Sequence, residues 1–472
     1  MIDVSTEIKA AFQSDSVLKH YHLEFPKNET KPSITIEGEE NSNPTGFIDY
    51  EEEEEKSEHF YNQDIKNESI TITESICSEE QLKFGCCEAS MFEVEIYYDP
   101  KKVTGKIFNV YLQLGDYSLP DQIFKVGRYI VDSEEVSNGE KTRKITAYDV
   151  MYVLKLLNVA YWYYMNITFP ITIKELRDSL LEYVNLEQVE RTLINDDAVL
   201  EYDPLYGETD ISFETIMTGI CEVNACFGHI NREGKFDYVT LTAPDQEETY
   251  PSKETFPSRE TFPQSIRSKN YYIKPQLIKS DIEWQNYMCK PVDIVQVRSR
   301  NGSVLLEYHD ESKETYTNIY VIQNNWITDA FTNETLQTVT KNFYDAIAKV
   351  TYTPCDANIK MDLSLEVGDA ITLTSTDKTR IPTYIFKRTM TGIHSAFDEI
   401  EATGYEEWVN DPPSTDGMYS ELMDGLNELT DRVDNMEQQM DDSALSIVSV
   451  EKLPEAPKKN VLYLIQGRIG VY

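Results

Sequence analysis

The sequence predicts an α+β, β-rich protein with several antiparallel β-barrel-like tube modules, interspersed helices and a short C-terminal coiled coil. Short runs that alternate apolar and polar residues between turn signals predict the strands. Spacings of three and four residues predict the helices, and a heptad spacing near the end predicts the coiled coil. The 472 residues, 40% hydrophobic and 11% aromatic, suffice for roughly two to four domains with their own cores.

An N-terminal β-rich tube module is predicted over residues 1–150. Residues 17–25 alternate as a strand, a short strand is expected at 33–37, and order returns at Asn67 with two further strands. Residues 124–150 predict a hairpin that closes at Asn138-Gly139. An acidic insertion near 37–66 contains Glu51–Glu55, and this block of like charge predicts a loop.

Residues 151–248 predict a helical α+β module. Helices are expected over 149–160, 172–184 and 212–227, and Thr172 with Glu175 fits a capping box at the start of the second. The segment HINREGKFDYVTL predicts a hairpin whose turn lies at 232–234.

A Pro-rich tether follows at 249–264, where YPSKETFPSRETFP repeats a six-residue unit that excludes a continuous helix or central strand. Residues 265–405 predict a second β-rich tube module. It contains a hairpin with an Asn301-Gly302 turn and a helix from Asn333 to Val350.

Residues 406–442 predict an acidic linker and a trimeric coiled coil, and residues 443–472 a C-terminal β segment. Pro412 and Pro413 separate the heptads from the preceding module, which favours self-association over a lone amphipathic helix. The a and d positions of the seam are Tyr419, Leu422, Leu426, Leu429, Val433, Met436 and Met440.

Charge and hydropathy exclude several classes of protein. Lys and Arg number 43 against 83 Asp and Glu, a net charge of −40, so stable nucleic-acid binding is not expected. No apolar run reaches the roughly 18 residues of a membrane span. The N-terminus lacks the pattern of a secretory signal, so we expect synthesis in the cytoplasm.

No catalytic residue, cofactor or metal is predicted. The seven cysteines are odd in number and scattered, so we expect them reduced and mostly buried. Core packing is favoured over metal binding for Cys221 and Cys226 near His229, and a surface strand for His20 and His22, which share one face. Nucleotide-binding, GxSxG and HExxH motifs are absent from the sequence, although 83 acids leave a glycosidase-like pair open.

Several segments, in this order, resemble the tail hub proteins of bacteriophages, also called tail-associated, tail-tip or baseplate hub proteins. They span roughly residues 15 to 405. The segments are ESICSEEQLKFGCCEASMFEVEI at 74–96, VGRYIVDS and KITAYDVMYVL within 126–154, ISFETIMTGICEVNACFGHINREGKFDYVTL at 211–241, the YPSKETFPSRETFP tether, and LEVGDAITL at 365–373.

The resemblance implies a homotrimeric ring at the virion tail tip, in which each chain supplies two tube modules to a six-fold tube. It also implies contacts with the distal tail protein ring, the tape measure protein, and receptor-binding or tail fibre proteins. Family members often carry a lytic extension, whereas this chain has only the short coiled coil and a small terminus after residue 405. We therefore expect no enzymatic activity, and we expect the acidic charge to keep DNA from adhering during ejection.

Two alternatives remain beside the structural hub. The 31 tyrosines could serve a host-surface-binding adhesin or receptor-binding module. An acidic pair could serve a cell-wall hydrolase.

Overall fold

A computed structural model describes residues 6–14, 17–26, 58–66, 68–97, 103–115, 123–137, 139, 141–241, 271–299, 302–311, 318–393, 395–408, 446–450, 461–465 and 468–471. The chain divides into two units, Met1–Val409 and Asn410–Tyr472, which are described separately. Helices of the first unit are α1 Thr6–Phe12, α2 Val150–Lys155, α3 Ala160–Asn166, α4 Ile173–Tyr183, α5 Phe213–Val223, α6 Trp326–Asp329 and α7 Asn333–Ile347.

The strands of the first unit come from both predicted β-rich segments and from the helical region between them. They are β1 Lys19–Phe25, β2 Glu58–Tyr61, β3 Thr71–Ser75, β4 Met91–Tyr97, β5 Ile107–Leu114, β6 Ile123–Ser137, β7 Thr142–Tyr148, β8 Ile171–Thr172, β9 Val199–Leu200, β10 Phe227–Ile230, β11 Phe236–Val239, β12 Tyr271–Ile273, β13 Glu283–Trp284, β14 Ile294–Arg298, β15 Val304–His309, β16 Ile319–Gln323, β17 Cys355–Lys360, β18 Ala370–Thr374, β19 Arg380–Tyr384, β20 Lys387–Thr391 and β21 Phe397–Ala402.

One sheet of eleven strands joins the N-terminal and the second β-rich segments. Its order is β13-β17-β21-β20-β3-β4-β7-β6-β5-β1-β2. The junction is the antiparallel pair of β3 and β20, in which Thr73 lies opposite Thr389. Backbone hydrogen bonds therefore run without a break from one segment into the other. The predicted β-rich α+β class is confirmed.

The predicted barrel-like modules are not confirmed. Among the described residues the eleven-stranded sheet ends at β2 and β13, which do not pair with each other, and the smaller sheets have two or three strands. Alternation in the sequence defines the faces of a strand but not its neighbours, so closure could not be derived from it.

Alternating side chains explain the strands of the large sheet. In β4 the residues Phe92, Val94 and Ile96 are buried, and the residues between them are partly exposed. Burying each such side chain stabilises the fold by about 1.5 to 3 kcal/mol. The predicted hairpin of β6 and β7 is also present, with Ser137 opposite Thr142.

The structure describes the last part of the predicted acidic insertion, residues 58–66. Residues 58–61 form β2, which pairs with β1, and residues 62–64 form a 3-10 helix. Asn62 supports this pairing because its amide donates to Lys19 O at 2.9 Å and accepts from Tyr21 N at 2.7 Å. Regular secondary structure is therefore present ahead of the predicted start at Asn67. The expected strand at 33–37, the tether and the coiled coil lie outside the described residues.

Helix α4 begins as predicted. Thr172 Oγ1 accepts from Glu175 N at 3.1 Å, and Glu175 Oε2 accepts from Thr172 N at 3.0 Å. This reciprocal pair satisfies two backbone donors that the helix itself cannot satisfy.

Two predicted helices are shorter in the structure. The helix expected over 149–160 ends at Lys155, and a separate helix, α3, begins at Ala160. The intervening backbone pairs with 211–213 instead: Val159 N donates to Ile211 O at 2.7 Å, and Phe213 N to Leu157 O at 2.9 Å. Helix α5 ends at Val223 rather than 227. Ala225 has a φ of +51°, which a right-handed helix cannot contain.

Buried arginines hold three parts of the chain together at residues 362–365. Arg388 donates to Leu365 O at 2.5 Å, to Asp362 O at 2.7 Å and to Asp398 Oδ2 at 2.7 Å. Arg232, from the turn between β10 and β11, donates to Leu363 O at 2.6 Å and again to Leu365 O at 2.9 Å. The segment is thereby fixed to the large sheet and to the helical region.

Glu222 of α5 makes stability depend on pH. Its side chain is buried and accepts from Asn325 Nδ2 at 2.8 Å, and burial raises the pKa of this carboxyl from 4.5 to about 7. Between these values the folded protein binds more protons than the unfolded chain, so the free energy of unfolding falls as pH rises.

Replacing Glu222 with glutamine should therefore stabilise the protein at pH 8 by up to about 3 kcal/mol and leave it nearly unchanged at pH 4. Urea unfolding at both pH values measures this. The matched control is Glu182→Gln on the exposed side of α4, which removes the same charge from the surface. An equal effect of Glu222→Gln at the two pH values would contradict this account.

The second unit contains three described strands, β22 Ser446–Val450, β23 Val461–Ile465 and β24 Arg468–Val471. β22 and β23 are parallel, and β24 is antiparallel to β23.

In the described part of the whole chain, no helix combines the length and apolar character needed to cross a membrane.

Candidate functional site

The predicted oligomerisation seam lies outside the described residues, so Tyr419, Leu422, Leu426, Leu429, Val433, Met436 and Met440 stay a prediction. The described surface offers two other candidate sites: an exposed aromatic surface on the helical region and an acidic cleft at the β13 end of the sheet.

His22 lies on β1 but its partner is not His20. Its Nε2 is 2.8 Å from Nδ1 of His59 on β2, and its ring stacks on Tyr61 with centroids 4.7 Å apart. Burial and the neighbouring His59 lower the pKa of His22. The sequence pattern could not reveal this contact because the long acidic insertion separates the two histidines.

The cysteines are free thiols, and all but the half-buried Cys86 are buried. Cys221, Cys226 and His229 lie in the interior around α5 and β10. Among the residues that the structure describes, no group of three or more His, Cys, Asp or Glu side chains is arranged to hold a metal ion.

The aromatic surface is formed by exposed side chains of α3 and its surroundings: Leu156, Tyr161, Tyr164, Met165 and Tyr206. Positions 161, 164 and 165 share one side of a helix, opposite the buried Trp162 and Tyr163. Tyr206 is 86% exposed and Leu156 81%. Exposed apolar side chains grouped on one helix make this surface a candidate for contact with another protein.

Hydrogen bonds fix the loop that carries Tyr206 against α3. Tyr164 Oη donates to Leu205 O at 2.7 Å and is 2.8 Å from Glu208 O. Tyr163 Oη donates to Asp203 Oδ1 at 2.7 Å. These bonds hold the loop against α3, and a loop that is fixed before a partner binds loses less entropy on association.

The acidic cleft has a volume of about 680 Å³ and lies where β13 ends the large sheet. Glu283 lies opposite Asp356, and Asp356 opposite Glu401, so these three carboxylates share one face of β13, β17 and β21. Burial, then the neighbouring carboxylates, raises the pKa of Asp356. Lys387 partly offsets the charge through a 3.0 Å ion pair with Glu401.

Aromatic rings also line the acidic cleft. Trp284 and Tyr405 are 42% and 43% exposed, and Tyr287 lies beside them. Tyr405 Oη donates to Glu80 Oε2 at 2.5 Å. Rings next to hydrogen-bonding carboxylates suit the binding of a sugar, whose faces are apolar and whose edges carry hydroxyls.

The acidic cleft also contains a cysteine among its described lining residues. Its one thiol, Cys355, has a pKa raised to about 12 by burial and therefore stays protonated at neutral pH. The sequence signal for this cleft was the acid content alone, and it could not identify which acids meet.

No family model matches the chain, and no curated protein matches it. The chain is similar to the tail protein from Neisseria meningitidis MC58, with a TM-score of 0.42 and 11% identity over 75% of this chain and 95% of that one. It is also similar to the 43 kDa tail protein of prophage MuSo2 from Shewanella oneidensis, with a TM-score of 0.43 and 9% identity over 73% and 95%.

A third similar structure is the lidless PdpA-VgrG complex, with a TM-score of 0.40 and 9% identity over 84% of this chain and 67% of that one. Phage tail and baseplate proteins, the class that the sequence segments resemble, are thus among the solved structures to which this chain is similar.

Proposed function

We propose that this chain is a non-enzymatic structural component of a phage tail tip, a tail hub whose three copies form a ring. The ring closes the tail tube and anchors receptor-binding or fibre proteins. The observation that carries the proposal is the eleven-stranded sheet, which makes one continuous body from two β-rich segments of the chain. Such a body suits a part that transmits force and positions its neighbours.

Two β-rich segments per chain would also let a ring of three chains match a six-fold tube. Three chains that each supply residues 1–150 and 265–405 offer six similar segments to a six-fold tube. The pairing of β3 with β20 supports this because it fixes the two segments in register within one chain. The predicted heptads at 419–440 supply the three-fold axis.

The partners of this proposal are the distal tail protein ring, the tape measure protein and the receptor-binding or fibre proteins. The aromatic surface supports protein partners, because Tyr and Met are enriched where proteins meet. The net charge of −40 supports passage of DNA without adhesion, since like charges remove the gain from counterion release.

Gold-labelled antibody against the chain, viewed on intact particles by electron microscopy, tests the location. We expect label at the distal end of the tail. Label along the tube or on the head, or absence of the chain from purified particles, would contradict the proposal.

A second candidate function is binding of host-surface glycan, which the aromatic lining of the acidic cleft favours. In that case Trp284→Ala should reduce binding of the purified protein to host cell walls at least tenfold, about 1.4 kcal/mol. Tyr97→Ala, which removes a similarly exposed ring from β4, should leave binding unchanged. Equal binding of all three proteins, or none, excludes the cleft as a glycan site.

A further inference from the structure

Cys77 and Cys86 form a close thiol pair next to the large sheet. The Cys86 thiol donates to Cys77 Sγ, and the two sulfur atoms are 3.8 Å apart. A disulfide bond is about 2.05 Å long, so closing it requires the sulfurs to approach by less than the width of one atom. Both residues belong to the segment that connects β3 to β4.

The other nearby thiols contact different partners. Cys87 Sγ packs against the backbone of Gly228, where an added Cβ would lie 2.5 Å from the sulfur. Its thiol interacts with Cys221, which also contacts Cys226, and these two contacts, followed by burial, raise the pKa of Cys221. Adjacent residues 86 and 87 therefore serve two separate clusters, and only Cys86 faces Cys77.

An oxidant can reach the pair, and the pKa of one of its two thiols is lowered. Cys77 is 5% exposed, but Cys86 is half-buried, so a small oxidant can reach the pair from the Cys86 side. The hydrogen bond from Cys86 lowers the pKa of Cys77 to about 7. A lowered pKa favours the thiolate, which is the reactive form of cysteine.

We propose that Cys77 and Cys86 are a redox-active pair that closes to an intramolecular disulfide when the folded protein meets an oxidant. A peroxide is sufficient as co-reactant. The pair can stay reduced in the cytoplasm, where thiols are kept reduced, and close outside the cell. The chemistry is independent of the proposed tail function.

The reaction balances with one peroxide. The Cys77 thiolate attacks a peroxide oxygen and breaks the O–O bond, giving a sulfenic acid and hydroxide, which takes up a proton as water. The Cys86 sulfur then attacks the Cys77 sulfur, the S–O bond breaks, and the hydroxyl leaves with the Cys86 proton as a second water. Two thiols are oxidised by two electrons, and the peroxide is reduced.

The disulfide would tighten a turn that holds the end of the first unit. Within this turn Glu79 O accepts from Thr403 Oγ1 at 3.2 Å, and Glu80 accepts from Tyr405. Closing the loop between Cys77 and Cys86 limits the opening of this turn. Oxidation therefore stabilises the segment through which the chain leaves the large sheet.

Mass spectrometry of the full-length protein after brief exposure to dilute hydrogen peroxide tests the proposal. Trypsin cuts after Lys66, Lys83 and Lys101, so the bond should link peptide 67–83 to peptide 84–101. We expect this link in the native protein and in Cys87→Ser, and its loss in Cys86→Ser. The other five thiols should stay free.

Proteolysis at Glu79 and Glu80 by a glutamate-specific protease supplies the second measurement. The oxidised protein should be cut several-fold more slowly than the reduced protein, and Cys86→Ser should show no difference between the two conditions. Seven free thiols after oxidation, over-oxidised Cys77 without a link, loss of the link in Cys87→Ser, or equal proteolysis rates would each overturn the proposal.

Discussion

Replacing Leu426 with aspartate is expected to convert a trimer of this chain into monomers. Leu426 is an inner position of the predicted seam, and three-fold symmetry would bring three carboxylates together on one axis. A buried unpaired charge costs several kcal/mol per chain, and mutual repulsion adds to it. Light scattering should then report a mass near 54.5 kDa instead of three times that value.

The matched control is Asn427→Asp, which places the same charge one residue away, off the seam. This variant should remain trimeric. A trimeric Leu426→Asp would show that the heptads do not hold the chains together, and monomers of both variants would show that added charge alone, rather than the seam, controls assembly.

Replacing Asp398 with asparagine is expected to lower the free energy of unfolding by about 3 to 5 kcal/mol. Asp398 and Arg388 are both fully buried, and the substitution leaves the guanidinium without its carboxylate partner. Because Arg388 also donates to Leu365 O and Asp362 O, the change loosens the segment that the helical region shares with the sheet. Urea unfolding monitored by tryptophan fluorescence measures the loss.

The control for this prediction is the neighbouring residue. Lys387 pairs with Glu401 at 3.0 Å on the surface, where Lys387 is 46% exposed, so Lys387→Met should cost less than about 1 kcal/mol. If the two variants lost equal stability, the buried pair would not have the role assigned to it.

Local patterns in the sequence predicted local structure well. Alternation defined the buried face of β4, the Thr172 and Glu175 pair marked the start of α4, and the Asn-Gly turns marked both hairpins. Each of these features depends on residues close together in the chain, which is why one sequence suffices to find them.

Long-range pairing could not be predicted in the same way. Nothing in the alternation of β3 indicates that β20, more than 300 residues later, is its neighbour, and the same holds for His22 with His59. The barrel-like prediction failed to be confirmed for this reason, since closure depends on strand order. The break between α2 and α3 likewise depends on backbone pairing with residues 211–213.

The candidate sites also combine local features, which the sequence reveals, with long-range contacts, which it does not. The apolar run from Met151 to Met165 contains most of the aromatic surface, but the position of Tyr206 beside it depends on hydrogen bonds from Tyr164. The acidic cleft requires three strands whose acids face one another, and with 83 acids the sequence offers too many pairs to choose among.

Electron-microscopic class averages of the purified full-length protein test the central claim most directly. The account predicts a three-fold annulus with an open centre, built from three chains of 54.5 kDa. A single-copy particle with a solid centre would contradict it.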